Sequence, residues 1–253
     1  MKLNAVVAGD GPPVALLHGL FGRAQNLGAL ARHLAPHARV ISLDLRNHGA
    51  SPHAPGMDYK TLAADVMETL AALNALPVAL LGHSMGGKTA MAAALLAPEQ
   101  VTRLLVADIA PVAYEHHNAG VAAALQALAL PPGLTRAEAS AALEPAVPDA
   151  AVRAFLLQNL SISPPAWRIG LAEIAGDMAA IESWPAFPGA GFDGPSLFVR
   201  GERSDYVQDA DLPAITALFP RAELVTVQDA GHWLHVDQAK VFGDIAEEFL
   251  LGK

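Results

Sequence analysis

The chain has 253 residues, 53% of them hydrophobic and 16% charged, and its mean hydropathy of +0.32 excludes disorder because ample apolar surface is available to bury. Its 16 basic and 25 acidic residues leave a formal charge of −9, which argues against nucleic-acid and anionic-membrane partners, whose binding rests on clustered cations. With no cysteine, disulfides, thiolate catalysis and cysteine-ligated metal sites are excluded.

Met1–Asp10 lacks the apolar run of a signal peptide, and no later run has the length of a membrane span, so a cytoplasmic protein is expected. Strand-like runs at Val14–Leu17, Val40–Leu45, Val78–Leu81 and Leu104–Ala107 alternate with helix-like stretches at Leu27–Leu34, Thr61–Leu73 and Lys88–Leu96. Each strand is short and apolar on both faces, which suits a mostly parallel sheet covered by helices. The alternation breaks from residue 112 to 184. There the pattern predicts helices over Ala119–Leu130, Arg136–Leu143, Ala151–Leu160 and Trp167–Ala175 and no strand. It resumes with strands at Leu197–Val199 and Leu224–Val227 and helices at Leu212–Phe219 and Val241–Leu251. The expected fold is therefore a doubly wound α/β core over residues 1–111 and 185–253, with a helical cap at 112–184 inserted between strands; a separate small domain is the alternative.

The sharpest motif is Gly82-His83-Ser84-Met85-Gly86-Gly87, lying between a predicted strand and a predicted helix. Composition alone gives about 0.06 chance occurrences of such a pentapeptide in a chain like this one. A strand–turn–helix nucleophile elbow needs this layout, because glycines two residues either side of Ser84 remove Cβ atoms that so tight a turn would crowd. His18-Gly19-Leu20-Phe21-Gly22 follows the first predicted strand and offers the second half of an oxyanion hole, with the N–H groups of Leu20 and Met85 as donors. His18 itself is expected to order that loop.

The base should follow a late strand. His232, after Gly231, fits the chain order nucleophile, acid, base; His235 is its competitor. Two carboxylates compete for the third role: Asp108, directly after Leu104–Ala107, and Asp205, one residue beyond the commonest acid position, which is occupied by Ser204. Phe21, His83, Trp167 and Trp233 are candidate substrate-binding residues. Arg46-Asn47-His48-Gly49 is read as a buried polar network beside the elbow, with His48 facing the cavity as the alternative. His116-His117 is read as a solvated edge, because neighbouring side chains diverge and no third ligand accompanies them.

These motifs together resemble the α/β-hydrolase fold, and more narrowly the YbfF-type bacterial esterases, a group similar to mitochondrial abhydrolase-domain hydrolases. The resemblance rests on Leu17–Gly22, Asp44–Ser51, Gly82–Lys88, Asp108–Pro111, Phe155–Leu157, Trp167-Arg168 and Gly231–Trp233. It implies hydrolysis of short- to medium-chain carboxylic esters, or acyl thioesters, with no cofactor or metal. It also implies that the aspartate matching Asp108 serves as the acid, although Asp205 beyond Ser204 leaves that choice open. A C–C bond hydrolase, a cofactor-free perhydrolase and a small-molecule receptor would keep the same residues. The sequence is silent on oligomeric state.

Overall fold

The computed structural model describes residues 1–114 and 118–252. In chain order the elements are β1 (Ala5–Ala8), β2 (Pro13–Leu17), α1 (Gly28–Leu34), β3 (Arg39–Leu43), α2 (Tyr59–Ala72), β4 (Val78–His83), α3 (Met85–Leu96) and β5 (Val101–Ala107). There follow α4 (Asn118–Ala127), α5 (Arg136–Leu143), α6 (Ala150–Leu157), β6 (Leu160–Ile162), β7 (Pro165–Trp167), α7 (Leu171–Gly176) and α8 (Met178–Glu182). The chain ends with β8 (Ser196–Gly201), α9 (Leu212–Leu218), β9 (Ala222–Val227), α10 (Leu234–Asp237) and α11 (Ala239–Leu251). Among the described residues no helix is long and apolar enough to cross a membrane.

Seven strands form one sheet in the order β1-β3-β2-β4-β5-β8-β9, all neighbours parallel except β1 against β3. Side chains alternate between its faces. Ala15, Leu17, Val78, Leu80 and Val106 point into a core shared with α2, α3 and the insert, whereas Val14, Leu16, Ala79, Leu81 and Leu105 pack with Leu34 of α1 and Phe242 and Leu250 of α11. Burial on both faces is why these strands read as unbroken apolar runs. The six strands expected from such runs are all present, each extended by one to three residues at one or both ends, apart from β3, which stops at Leu43. The seventh, β1, was not expected: it is a four-residue antiparallel edge, mostly exposed, without a buried face to give it a pattern.

The segment between β5 and β8 contributes Leu125, Leu143, Leu156 and Ile174 to the core on the α2/α3 face. Two helix starts there follow from sequence chemistry. Thr135 and Glu138 close a reciprocal capping box at α5, and Asp149 accepts from the N–H groups of Ala151 and Val152 at α6. The expectation of an all-helical segment is corrected by the antiparallel hairpin β6–β7. The helix expected over Trp167–Ala175 is corrected as well: Trp167 ends β7, and the helix starts only at Leu171, after Gly170 has donated its N–H to Asn47 O at 2.8 Å. Three-residue strands are too short for period-2 alternation to separate them from a helix turn.

The loops at the carboxyl ends of β2 and β3 are held by buried imidazoles. His18 Nε2 accepts from Leu45 N–H at 2.9 Å while Nδ1–H donates to Gly19 O at 2.8 Å. His48 Nε2 accepts from Phe21 N–H at 3.0 Å while Nδ1–H donates to Arg46 O at 2.8 Å. Arg46 forks onto both oxygens of Asp65, and Asp44 accepts from the N–H groups of Ala24 and Ala50. His48 is thus part of the network expected from the sequence. Burial lowers His18 to about 4 and His48 to about 3, so both rings act as neutral acceptors. Because the unfolded chain takes up these protons near pH 6.5 and the folded chain resists them, stability must fall as pH drops from about 6.5 towards 4, by up to about 1.4 kcal/mol per pH unit for each ring. Thermal melting over that range should show this slope, and His48→Gln should flatten it by about one proton's worth; identical slopes in the two proteins would refute the assignment.

Candidate active site

Ser84 stands between the last residue of β4 and the first of α3, at φ 54° and ψ −121°. A side-chain-bearing residue in that region is strained and persists only where its surroundings over-determine it. Here Ser84 N–H donates to Ala107 O at 3.0 Å, and Ser84 O accepts the Lys88 N–H at 3.1 Å. The flanking glycines are required by close approach: a Cβ on Gly82 would lie 2.1 Å from Gly86 O, and one on Gly86 would lie 2.3 Å from Leu17 O. The first N–H groups of α3, beginning with Met85, have no acceptor within the helix. Opposite them runs the loop after β2, where a Cβ on Gly19 would come within 3.2 Å of Ser84 Cβ. Phe21 adopts φ 59°; its N–H goes to His48, and its carbonyl accepts from Asn159 Nδ2 at 2.6 Å.

Asp108 follows β5 in a left-handed conformation of φ 54° and is wholly buried. Its N–H donates to Val199 O at 2.8 Å, which seats it between β5 and β8. Oδ1 accepts from Gly201 N–H at 3.1 Å. Oδ2 accepts from His232 Nδ1–H at 2.7 Å and from the Ser204 hydroxyl. Asp205 lies elsewhere, lining a polar groove with Arg200, Glu202 and Asp209 at the end of β8. Of the two carboxylates weighed from the sequence, the structure brings Asp108 to His232 and leaves Asp205 apart. Ser204, noted in the sequence only as the place where an acid is missing, instead donates its hydroxyl to Asp108.

His232 sits on the loop after β9. Its carbonyl accepts from His83 Nε2–H at 2.8 Å, and the Tyr206 ring stacks on its imidazole at 3.8 Å and 17° from parallel. Burial, with His235 and His232 close by, drives His83 well below the ordinary histidine range, so it stays neutral and donates. His235 meets His83 edge-on at 4.7 Å and is lowered to about 4, again by burial first. His235 also lines the cavity, but the Asp108 carboxylate is on His232.

Ser84, Met85, Leu20, His232, Phe21 and Trp233 all line one cavity of about 730 Å³, with Val121, Val152 and Phe155 of the insert forming its other wall. Phe155 meets Trp233 at 5.4 Å. His83 also lines the cavity, with its Nε2–H committed to the His232 carbonyl. Trp167 does not belong to this lining: from β7 its indole N–H donates to Leu125 O at 3.2 Å inside the insert. Its expected contact with substrate is therefore corrected, for the reason that displaced the helix start.

Lys88, one turn beyond Ser84, was not singled out from the sequence, although a charged residue in the mostly apolar α3 was a visible signal. It is buried, donates to Ser183 O at 2.8 Å and lies over the rings of Tyr114 at 4.7 Å and Tyr59 at 5.3 Å. Burial lowers it to about 7, opposed by Glu182. Among the described residues no three metal-binding side chains converge, and His116-His117 lies outside the described residues.

A family model described as the alpha/beta hydrolase fold matches residues 12–239. The sn-1-specific diacylglycerol lipase ABHD11 of Mus musculus is 38% identical over 249 residues, covering 94% of this chain and 81% of its own. Esterase YbfF of Escherichia coli (strain K12) is 36% identical over 244 residues, 94% of either chain. A solved marine microorganism esterase superposes with a TM-score of 0.94 at 37% identity, covering 98% of this chain and 99% of the other. Elbow, sheet order and matched length agree: the chain belongs to the α/β-hydrolase family.

Proposed function

We propose that the protein is a serine hydrolase of short- to medium-chain carboxylic esters, with Ser84 as nucleophile, His232 as base and Asp108 as the orienting acid. The observation that supports this most is the 2.7 Å contact of His232 Nδ1 with Asp108 Oδ2, in a cavity also lined by the strained Ser84. An Nδ1 committed to a carboxylate leaves Nε2 as the basic nitrogen. It takes the Ser84 proton as Oγ attacks the acyl carbonyl, then passes that proton to the departing alcohol. Water, deprotonated in turn by His232, cleaves the acyl-enzyme and restores Ser84.

Negative charge on the carbonyl oxygen is met by the N–H groups of Met85 and Leu20. The Leu20 N–H is the loop's donor in this reading because Phe21 N–H is already given to His48. Residues 112–184 act as a cap over the strand ends, and their apolar side chains would receive the acyl chain. The names of the relatives, an esterase and a diacylglycerol lipase, support ester substrates; acyl thioesters suit the same chemistry.

Ser84→Ala should lower kcat on p-nitrophenyl butyrate by about 10⁴-fold or more while the melting temperature holds. Turnover surviving that change would end the proposal, and a stoichiometric fluorophosphonate label on Ser84 of the unaltered protein would separate an enzyme from a receptor that only binds. Asp108→Asn should cost about 10³- to 10⁴-fold in kcat, and Asp205→Asn no more than about twofold. The opposite ranking would transfer the acid role to Asp205.

A further inference from the structure

Building on the reading of His232 as the base, we propose that Tyr206 is its positioning residue: the ring face sets the plane of the imidazole and favours its protonated form. The two rings are 3.8 Å apart between centroids and 17° from parallel, closer and flatter than most aromatic pairs in proteins. The other ring in contact with His232, that of His83, is 4.7 Å away and tilted by 44°. Only Tyr206 therefore presents a flat face to the base among the described residues. Asp108 holds Nδ1 and His83 holds the carbonyl, which leaves the imidazole able to rock about the Nδ1 hydrogen bond. A parallel surface in contact with one face stops that motion.

Tyr206 is itself anchored at both peptide ends. Its carbonyl accepts from the Tyr114 hydroxyl, and its N–H donates to Ser204 Oγ at 3.3 Å. The Ser204 hydroxyl in turn donates to Asp108. One short segment thus touches both the carboxylate and the imidazole, so the two move together.

A tyrosine face carries negative potential and attracts a cation. His232 becomes cationic only when it has taken the Ser84 proton, so the contact is stronger in the transition state than before it. Among the described residues, the ionisable groups gathered around His232 are Asp108, His83, His235, Tyr206 itself and, through Gly231, Asp237. Burial keeps the two histidines neutral, and burial also raises the Tyr206 phenol above its usual range. Tyr206 thus offers a neutral aromatic face throughout the working range of the base.

The test compares Tyr206→Leu with Tyr206→Phe. It follows kcat and KM for p-nitrophenyl butyrate from pH 5 to 9, and the NMR titration of the His232 ring in a Ser84→Ala background. Tyr206→Phe keeps the face and should stay within about twofold of the parent. Tyr206→Leu should lower kcat about fivefold to thirtyfold with KM little changed, and should move the acid limb down by about 0.5 to 1 pH unit. The His232 resonance should shift its midpoint the same way. Should Tyr206→Leu melt early, Tyr206→Met gives the same contrast with a more adaptable side chain. A leucine or methionine variant with an unmoved acid limb and parental kcat overturns the inference, as does a phenylalanine variant as impaired as leucine. The titration reads the ring contact without turnover, so activity retained by Ser84→Ala would count against the hydrolase reading and leave the Tyr206 contact separately measurable.

Discussion

A carboxyl group removed from water must have its oxygens met by hydrogen-bond donors, and Asp108 is such a group. Three groups answer it: a backbone N–H at the end of β8, the hydroxyl of Ser204 and the imidazole of His232. They come from the last residue of β8 and from the loops that follow β8 and β9, while Asp108 directly follows β5. Satisfying one buried carboxyl group therefore draws together three consecutive strands of the sheet. The imidazole's place and tautomer follow from that demand.

The same economy appears on the other side of Ser84. The sheet sets β3, β2 and β4 side by side, and neutral histidines stitch the loops after β2 and β3 by accepting backbone N–H groups that would otherwise be buried without partners. Neutrality is essential there, since a protonated ring has no acceptor to offer. Burial imposes it. The positive-φ residues Phe21, Ser84 and Asp108 lie beyond the carboxyl ends of β2, β4 and β5, where strain is tolerated because surrounding contacts leave the chain no alternative.

What could be read beforehand follows a physical divide. The parallel strands were legible because burial on both faces writes an apolar run, and the elbow was legible because its glycines answer a local steric need. Ser84 and His232 could be singled out for the same reason, as each belongs to a motif whose spacing is local. The edge strand β1 and the hairpin β6–β7 were not legible: one lacks a buried face, and the other is too short to show a period. Asp108 against Asp205 was undecidable from the residues alone, since both follow strands and only the spatial neighbourhood of β5 and β8 separates them. Lys88 meets Ser183 across 95 residues, Ser204 meets Asp108 across 96, and the Tyr206 stack joins two loops; no local pattern records such meetings.

The Phe21 peptide is gripped from two directions, its N–H by His48 of the core and its carbonyl by Asn159, which follows α6 in the insert. Those hydrogen bonds make the inserted segment part of the frame that shapes the surroundings of Ser84, and not a detachable cover. Modular engineering meets a boundary here. Replacing the segment between β5 and β8, or paring the chain to the sheet and its flanking helices, would unfasten one side of that peptide unless the replacement brought an amide donor of its own.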